Sequence, residues 1–100
     1  MTVKVKICGV TTVSQVEMVQ HSGADAIGLV LYEKSSRYVD LDNAIKLRRA
    51  ISPDVLCVAL VVNADEEFIE SVISKLKPDF IQFHGDETAE FCNQFNYPFI

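Results

Sequence analysis

The stretch VLCVALVV, residues 55–62, is an apolar run without a single polar interruption. Such a run reads as a strand of a parallel sheet, covered on both faces. Its flanks are helical. Upstream, Leu41, Ala44, Ile45, Leu47 and Ile51 recur at helical spacing, after Asp40 or Asp42 and before Pro53. Downstream, Asn63 or Asp65 opens a helix in which Phe68, Ile69, Val72, Ile73 and Leu76 repeat at the same period, and Pro78 ends it. Asp65, Glu66 and Glu67 come early in that helix and Lys75 and Lys77 late, as the helix dipole favours.

The alternation extends both ways. VKVKIC, residues 3–8, is a first strand. Thr12 caps the helix that follows, with Gln15 at capping-box spacing, Val13, Val16 and Val19 turned inward, and Gly23 at the end. DAIGLVL, residues 25–31, is a second strand, and YEKSSRYVD a long loop after it. DFIQFH, residues 79–84, is a fourth strand. GDETAEFCNQF is a fourth helix, with Asp86 and Glu87 at its start, and YPFI opens a fifth strand. Strands that alternate with helices imply a parallel sheet with right-handed crossovers.

Strand parity separates an open doubly wound sheet from a closed barrel. One set of alternating positions is bulky and apolar: Val5, Ile7; Ile27, Leu29, Leu31; Leu56, Val58, Leu60; Ile81, Phe83. The other set is smaller and more polar: Lys6, Cys8; Ala26, Gly28, Val30; Cys57, Ala59, Val61; Phe80, Gln82, His84. Helices on one face only, with polar groups gathered at the strands' C-terminal ends, is the pattern of a barrel. A (β/α)8 barrel needs eight units and about 200 residues or more. The 100 residues here supply four and the start of a fifth. The expectation is therefore α/β, the N-terminal half of a single (β/α)8 barrel domain over residues 1–100, cut within strand five.

Charge and cysteine usage narrow the partners. A net charge of −5 and a pI near 4.8 leave no basic surface for nucleic acid or an anionic membrane. No apolar run approaches a membrane span, and MTVKVKICG lacks the apolar core of a signal peptide. Cys8, Cys57 and Cys92 are odd in number and form no CxxC pair. That pattern argues against a disulfide framework or zinc site and for a reducing compartment, the cytoplasm. No metal-binding or phosphate-loop motif is readable.

The polar residues at the strand ends carry the chemistry. Cys8 closes the first strand, and Lys6 lies two residues earlier on the same face, roughly 7 Å away. A nearby ammonium favours a thiolate, which makes Cys8 a candidate base or nucleophile; the alternative is a small buried apolar residue. Gly9 allows close backbone approach to a ligand at the strand exit. Arg37, in the second loop, offers a planar fork to a carboxylate or phosphate. His84 can bind substrate or shuttle a proton. Asn63 reads as a helix cap, Asp86 and Glu87 as dipole-stabilising acids, and Cys57 and Cys92 as packing residues.

KICGVT at 6–11, GLVLYEKSSRYV at 28–39, VALVVN at 58–63 and IQFHGDE at 81–87 together resemble the phosphoribosylanthranilate isomerase family of tryptophan biosynthesis. KICG and QxHGDE at this separation are the specific part of the likeness. The family usually has proline where this chain has Ser36, and its members are about twice this length. The resemblance implies an aldose–ketose isomerase that works without cofactor or metal. It catalyses an Amadori rearrangement of N-(5′-phosphoribosyl)anthranilate to 1-(2-carboxyphenylamino)-1-deoxyribulose 5-phosphate. It implies Cys8 as general base, Arg37 facing the anthranilate carboxylate and His84 at the rim; Lys6 and Gly9 are expected beside the substrate. The general acid and the phosphate site belong to a C-terminal half that this chain lacks, so the piece alone is expected to be inactive. A second expectation is a non-catalytic half-barrel that pairs with a copy of itself or with another half.

Overall fold

The computed structural model describes residues 5–100. In chain order the elements are β1 (Lys6–Cys8), α1 (Val13–His21), β2 (Ala26–Val30), α2 (Leu41–Ala50), β3 (Leu56–Val61), α3 (Glu66–Ser71), β4 (Phe80–Phe83) and α4 (Ala89–Asn93). Residues 3 and 4 of the expected first strand lie outside the described residues. A π-helical turn, Val72–Leu76, continues α3. The regular 3.6-residue spacing of that segment gave no sign of it. No described helix is long and apolar enough to cross a membrane.

All strand pairs are parallel, in the order β1-β2-β3-β4. That consecutive order distinguishes barrel winding from a doubly wound sheet, whose strand order reverses at a switch point. Right-handed crossovers between consecutive strands put every helix on the same face. Beyond β4, Phe99 bridges Ile81 in parallel, with Ile81 N–H donating to Pro98 O and Ile100 N–H to Ile81 O.

The helix-covered face holds one continuous apolar core that includes Val16, Ile27, Leu29, Ala44, Leu47, Ile69, Val72, Leu76 and Ile81. Cys57, Ala59 and Val61 belong to it, so β3 has the opposite phase from the one its sequence suggested. Leu56, Val58 and Leu60 stand beside Ala26, Gly28 and Val30 in the β2–β3 register, on the open face. A run apolar at every position marks neither face, and a shift of one residue exchanges the two. The small side chains of β3 thus lie under the helices. Val5 and Ile7 also depart from expectation: they are 45% and 38% exposed. Val13 is exposed as well, whereas Val16 is buried and Val19 packs at the edge of the core.

Caps start the helices where side-chain oxygens meet free N–H groups. Thr12, Asp40, Asp65 and Thr88 accept from the N–H groups of Gln15, Asn43, Phe68 and Phe91. The reach-back of Gln15 goes one residue further than a capping box, to Thr11 N at 2.7 Å.

At the strand entrances one staple occurs twice. Asp25 donates its N–H to Val5 O and accepts Val5 N–H on its carboxylate at 2.8 Å. Asp79 does the same with Cys57 O and Cys57 N–H, both at 2.7 Å. Asp79 also pairs with Arg48 of α2 at 3.6 Å.

Burial pushes the Cys57 thiol up to about 11; Arg48 pulls it down and Asp79 adds to the rise. Between pH 9 and pH 11 an unfolded chain has given up this proton and the folded chain has not, so stability falls as pH rises. Below that window the thiol is protonated in both states and adds no slope. The expected loss across the window is up to about 3 kcal/mol. Urea unfolding at a series of pH values should show it, and Cys57→Ala should flatten this part of the alkaline decline.

Candidate active site

The site is built at the C-terminal ends of the strands. Cys8, the last residue of β1, is half-buried and stands in register with Gly28 of β2. Gly9 then turns the chain out of the sheet at φ +94, with its N–H donating to Gly28 O at 2.9 Å. What lies over Gly9 is the side chain of Arg37. A Cβ built on Gly9 would sit 2.2 Å from Arg37 Cδ, and Arg37 Nη1 donates to Cys8 O at 3.2 Å. The glycine thus makes room for a neighbouring side chain of the protein itself.

The second loop brings Arg37 to that position by turning back on itself. Ser35 N–H donates to Tyr32 O, and Tyr38 N–H to Ser35 O. Ser35 Oγ accepts Arg37 N–H at 3.1 Å. Tyr38 forms a parallel bridge with Val30, and buried Val39 donates its N–H to Val30 O. The loop is therefore tied to the end of β2 on one side and to β1 through the guanidinium on the other.

Asn63 is not a helix cap; Asp65 takes that role. Asn63 sits in the left-handed region at φ 48, and its Oδ1 accepts Asp86 N–H at 2.8 Å. The Glu87 carboxylate accepts Asn63 N–H at 2.7 Å and Gly85 N–H at 2.8 Å. Asp86 and Glu87 precede α4 rather than start it, because Thr88 is its cap. Glu87 is structural as expected, though what it holds is the junction of two loops. His84 leaves β4 beside that junction, its N–H on Val61 O at 2.9 Å.

Cys8, Arg37 and His84 border one hollow of about 580 Å³, with Val30, Tyr32, Ser35, Ser36, Leu60 and Val62 completing its wall. Leu60 and Val62 were missed because they depend on the phase of β3. Lys6 lies deeper on the open face, outside that wall, and its ammonium donates to Gln82 Oε1 on β4. On a flat sheet those two strands would be about 14 Å apart, so the contact ties β1 to β4 across the open face. A separate hollow of about 410 Å³ between the second and third loops, lined by Tyr32, Lys34, Asn63 and Phe68 among others, includes neither Cys8 nor Arg37. Cys57 and Cys92 are buried away from both, and burial raises the Cys92 thiol too. Among the described residues no cluster of three potential metal ligands occurs.

The family model for N-(5′-phosphoribosyl)anthranilate (PRA) isomerase matches residues 5–100. An N-(5′-phosphoribosyl)anthranilate isomerase from Legionella pneumophila (strain Lens) is 42% identical over 98% of this chain and 47% of its own length. A crystal structure of phosphoribosyl anthranilate isomerase from Thermotoga maritima superposes with a TM-score of 0.90 at 37% identity, over 95% of this chain and 46% of that one. A phosphoribosyl anthranilate isomerase crystallised with reduced 1-(o-carboxyphenylamino)-1-deoxyribulose 5-phosphate superposes equally well, with 37% identity over 95% of this chain and 49% of that one. The chain spans about half the length of the curated relatives it matches.

Gly23 supplies a control for Gly9, since it has the same φ of +94 and no atom within 4 Å of a built Cβ. Gly23→Ala is expected to cost about 1 kcal/mol of stability from backbone strain alone. Gly9→Ala should cost at least about 1 kcal/mol more, because Arg37 must also move. Equal losses in urea unfolding would mean that Arg37 does not press on Gly9.

Proposed function

The chain belongs to the N-(5′-phosphoribosyl)anthranilate isomerase family, and from that footing we propose that it forms the front half of such an enzyme's barrel. The observation that carries this reading is the meeting of Cys8, Arg37 and His84 around one hollow at the C-terminal ends of the strands. The substrate is N-(5′-phosphoribosyl)anthranilate, a small sugar phosphate bearing an aromatic carboxylate. The compartment is the cytoplasm.

The reaction is an internal redox shift between two carbons of the sugar. A general acid protonates the ring oxygen, and the ring opens to a Schiff base. Cys8, as thiolate, takes the proton from C2, becoming the thiol while the electron pair flows toward the iminium nitrogen. The resulting enolamine relaxes to the ketone. Arg37 meets the anthranilate carboxylate with its planar donor fork, and its bond to the Cys8 carbonyl fixes that fork relative to the base. His84 borders the same hollow, where it can bind substrate or shuttle a proton. Lys6 and Gly9 act behind this wall: Lys6 through Gln82 and Gly9 through Arg37.

The acid and the phosphate site then lie in a second half, as eight-unit barrels bind phosphate after strands seven and eight. The single barrel domain is interrupted within strand five, a reading supported by the parallel bridge from Phe99 to Ile81. Apolar surface at both ends of the sheet, Val5 and Ile7 on one side and Phe99 and Ile100 on the other, is what a second half would cover. The same surface favours a second reading, in which two copies of this half associate without catalysis.

In the complete reading frame, Cys8→Ala should lower kcat by about 10²–10⁴-fold, the usual range for losing a general base. Turnover close to wild type would remove Cys8 from the mechanism. The 100-residue chain alone should show no isomerisation and should sediment as a self-associated species. A monodisperse monomer that unfolds cooperatively would speak against the second reading.

A further inference from the structure

We infer that Gly28 is a positioning residue whose missing side chain makes the slot in which the Cys8 thiol lies. The chemical part of this inference rests on the isomerase reading of Cys8; the steric part does not. Cys8 and Gly28 are register partners on the open face. A Cβ built on Gly28 would stand 2.8 Å from Cys8 Sγ, 3.2 Å from its Cβ and 3.3 Å from its Cα. The sulfur therefore leans from β1 toward β2 and stands too close to where a side chain at 28 would begin for both to keep their places.

Backbone conformation does not account for the glycine. The positive-φ glycines are Gly9 and Gly23, and Gly28 has ordinary strand geometry. Glycine inside a strand sacrifices packing and costs conformational entropy. Its neighbours along the open face of β2, Ala26 and Val30, do carry side chains. What distinguishes position 28 is the thiol in register with it. A side chain there would force Sγ to shift from its place beside the hollow it shares with Arg37 and His84. Two glycines thus hold the two chemical groups in place: Gly9 admits the arm of Arg37, and Gly28 admits the sulfur of Cys8.

The test is Gly28→Ala in the complete reading frame, alone and with Cys8→Ala. With Cys8 present, kcat should fall about 10²-fold through misplacement of the base. KM should stay within about threefold, because Arg37 is untouched. The loss of melting temperature caused by Gly28→Ala should shrink by at least about half in the Cys8→Ala background, since the sulfur that collides is gone. A folded Gly28→Ala enzyme with near-normal kcat overturns the inference, as does a parallel rise in KM. An equal melting loss in both backgrounds also overturns it. So does failure to fold in both, which would mean that the backbone itself demands glycine. If the parent protein has no isomerase activity but the coupling between positions 8 and 28 is present, the functional reading fails and the slot stands.

Discussion

One constraint organises this chain: four parallel strands follow one another in sequence order with crossovers of a single hand. Every helix is thereby sent to the same side of the sheet. That side can be wholly apolar, and it is, from Val16 in α1 through Leu76 at the end of the π-helical turn to Ile81 in β4. The other side receives no helix. It is left for Lys6, Cys8, Gln82 and His84, which could not be buried under a helix without partners. The separation of stability from chemistry follows from this winding.

The ends of the strands divide in the same way. At the entrances, Asp25 and Asp79 repeat one staple and hold each odd-numbered strand to its neighbour. At the exits, contacts run between loops: Arg37 onto Cys8 O, Glu87 onto Asn63 and Gly85. Entrance contacts are between backbone and carboxylate and lock strand register. Exit contacts set the spacing of side chains around a hollow, which is where barrel enzymes place their reacting groups. The proposed isomerase reading builds on this arrangement, in which Arg37 is already bonded to the Cys8 carbonyl.

Much of this was legible in the residues. Alternating strand and helix patterns, Thr12 and Asp40 at helix starts, and the gathering of Cys8, Arg37 and His84 near strand ends all follow from local chemistry. The phase of β3 was not legible, because VLCVALVV is apolar at every position and a period of two cannot be read from a uniform run. The exposure of Val5, Ile7 and Val13 was hidden for a related reason: an apolar residue does not say whether a neighbour exists to cover it. Asn63 looked like a cap because asparagine favours both caps and left-handed turns, and only its distance to Asp86 and Glu87 tells which is used.

The sequence by itself determined the element types and the parallel barrel class, since these rest on composition, spacing and short-range hydrogen bonding, and the likeness of KICG and QxHGDE to a known family pointed to the family. Tertiary structure alone decided which face of β3 looks inward, that Lys6 reaches Gln82, that Arg37 lies across Gly9, and that the Cys8 sulfur rests over Gly28. Each of these is a contact between residues far apart in the chain, set by strand register and packing. Neither leaves a mark on local pattern until the strands are side by side.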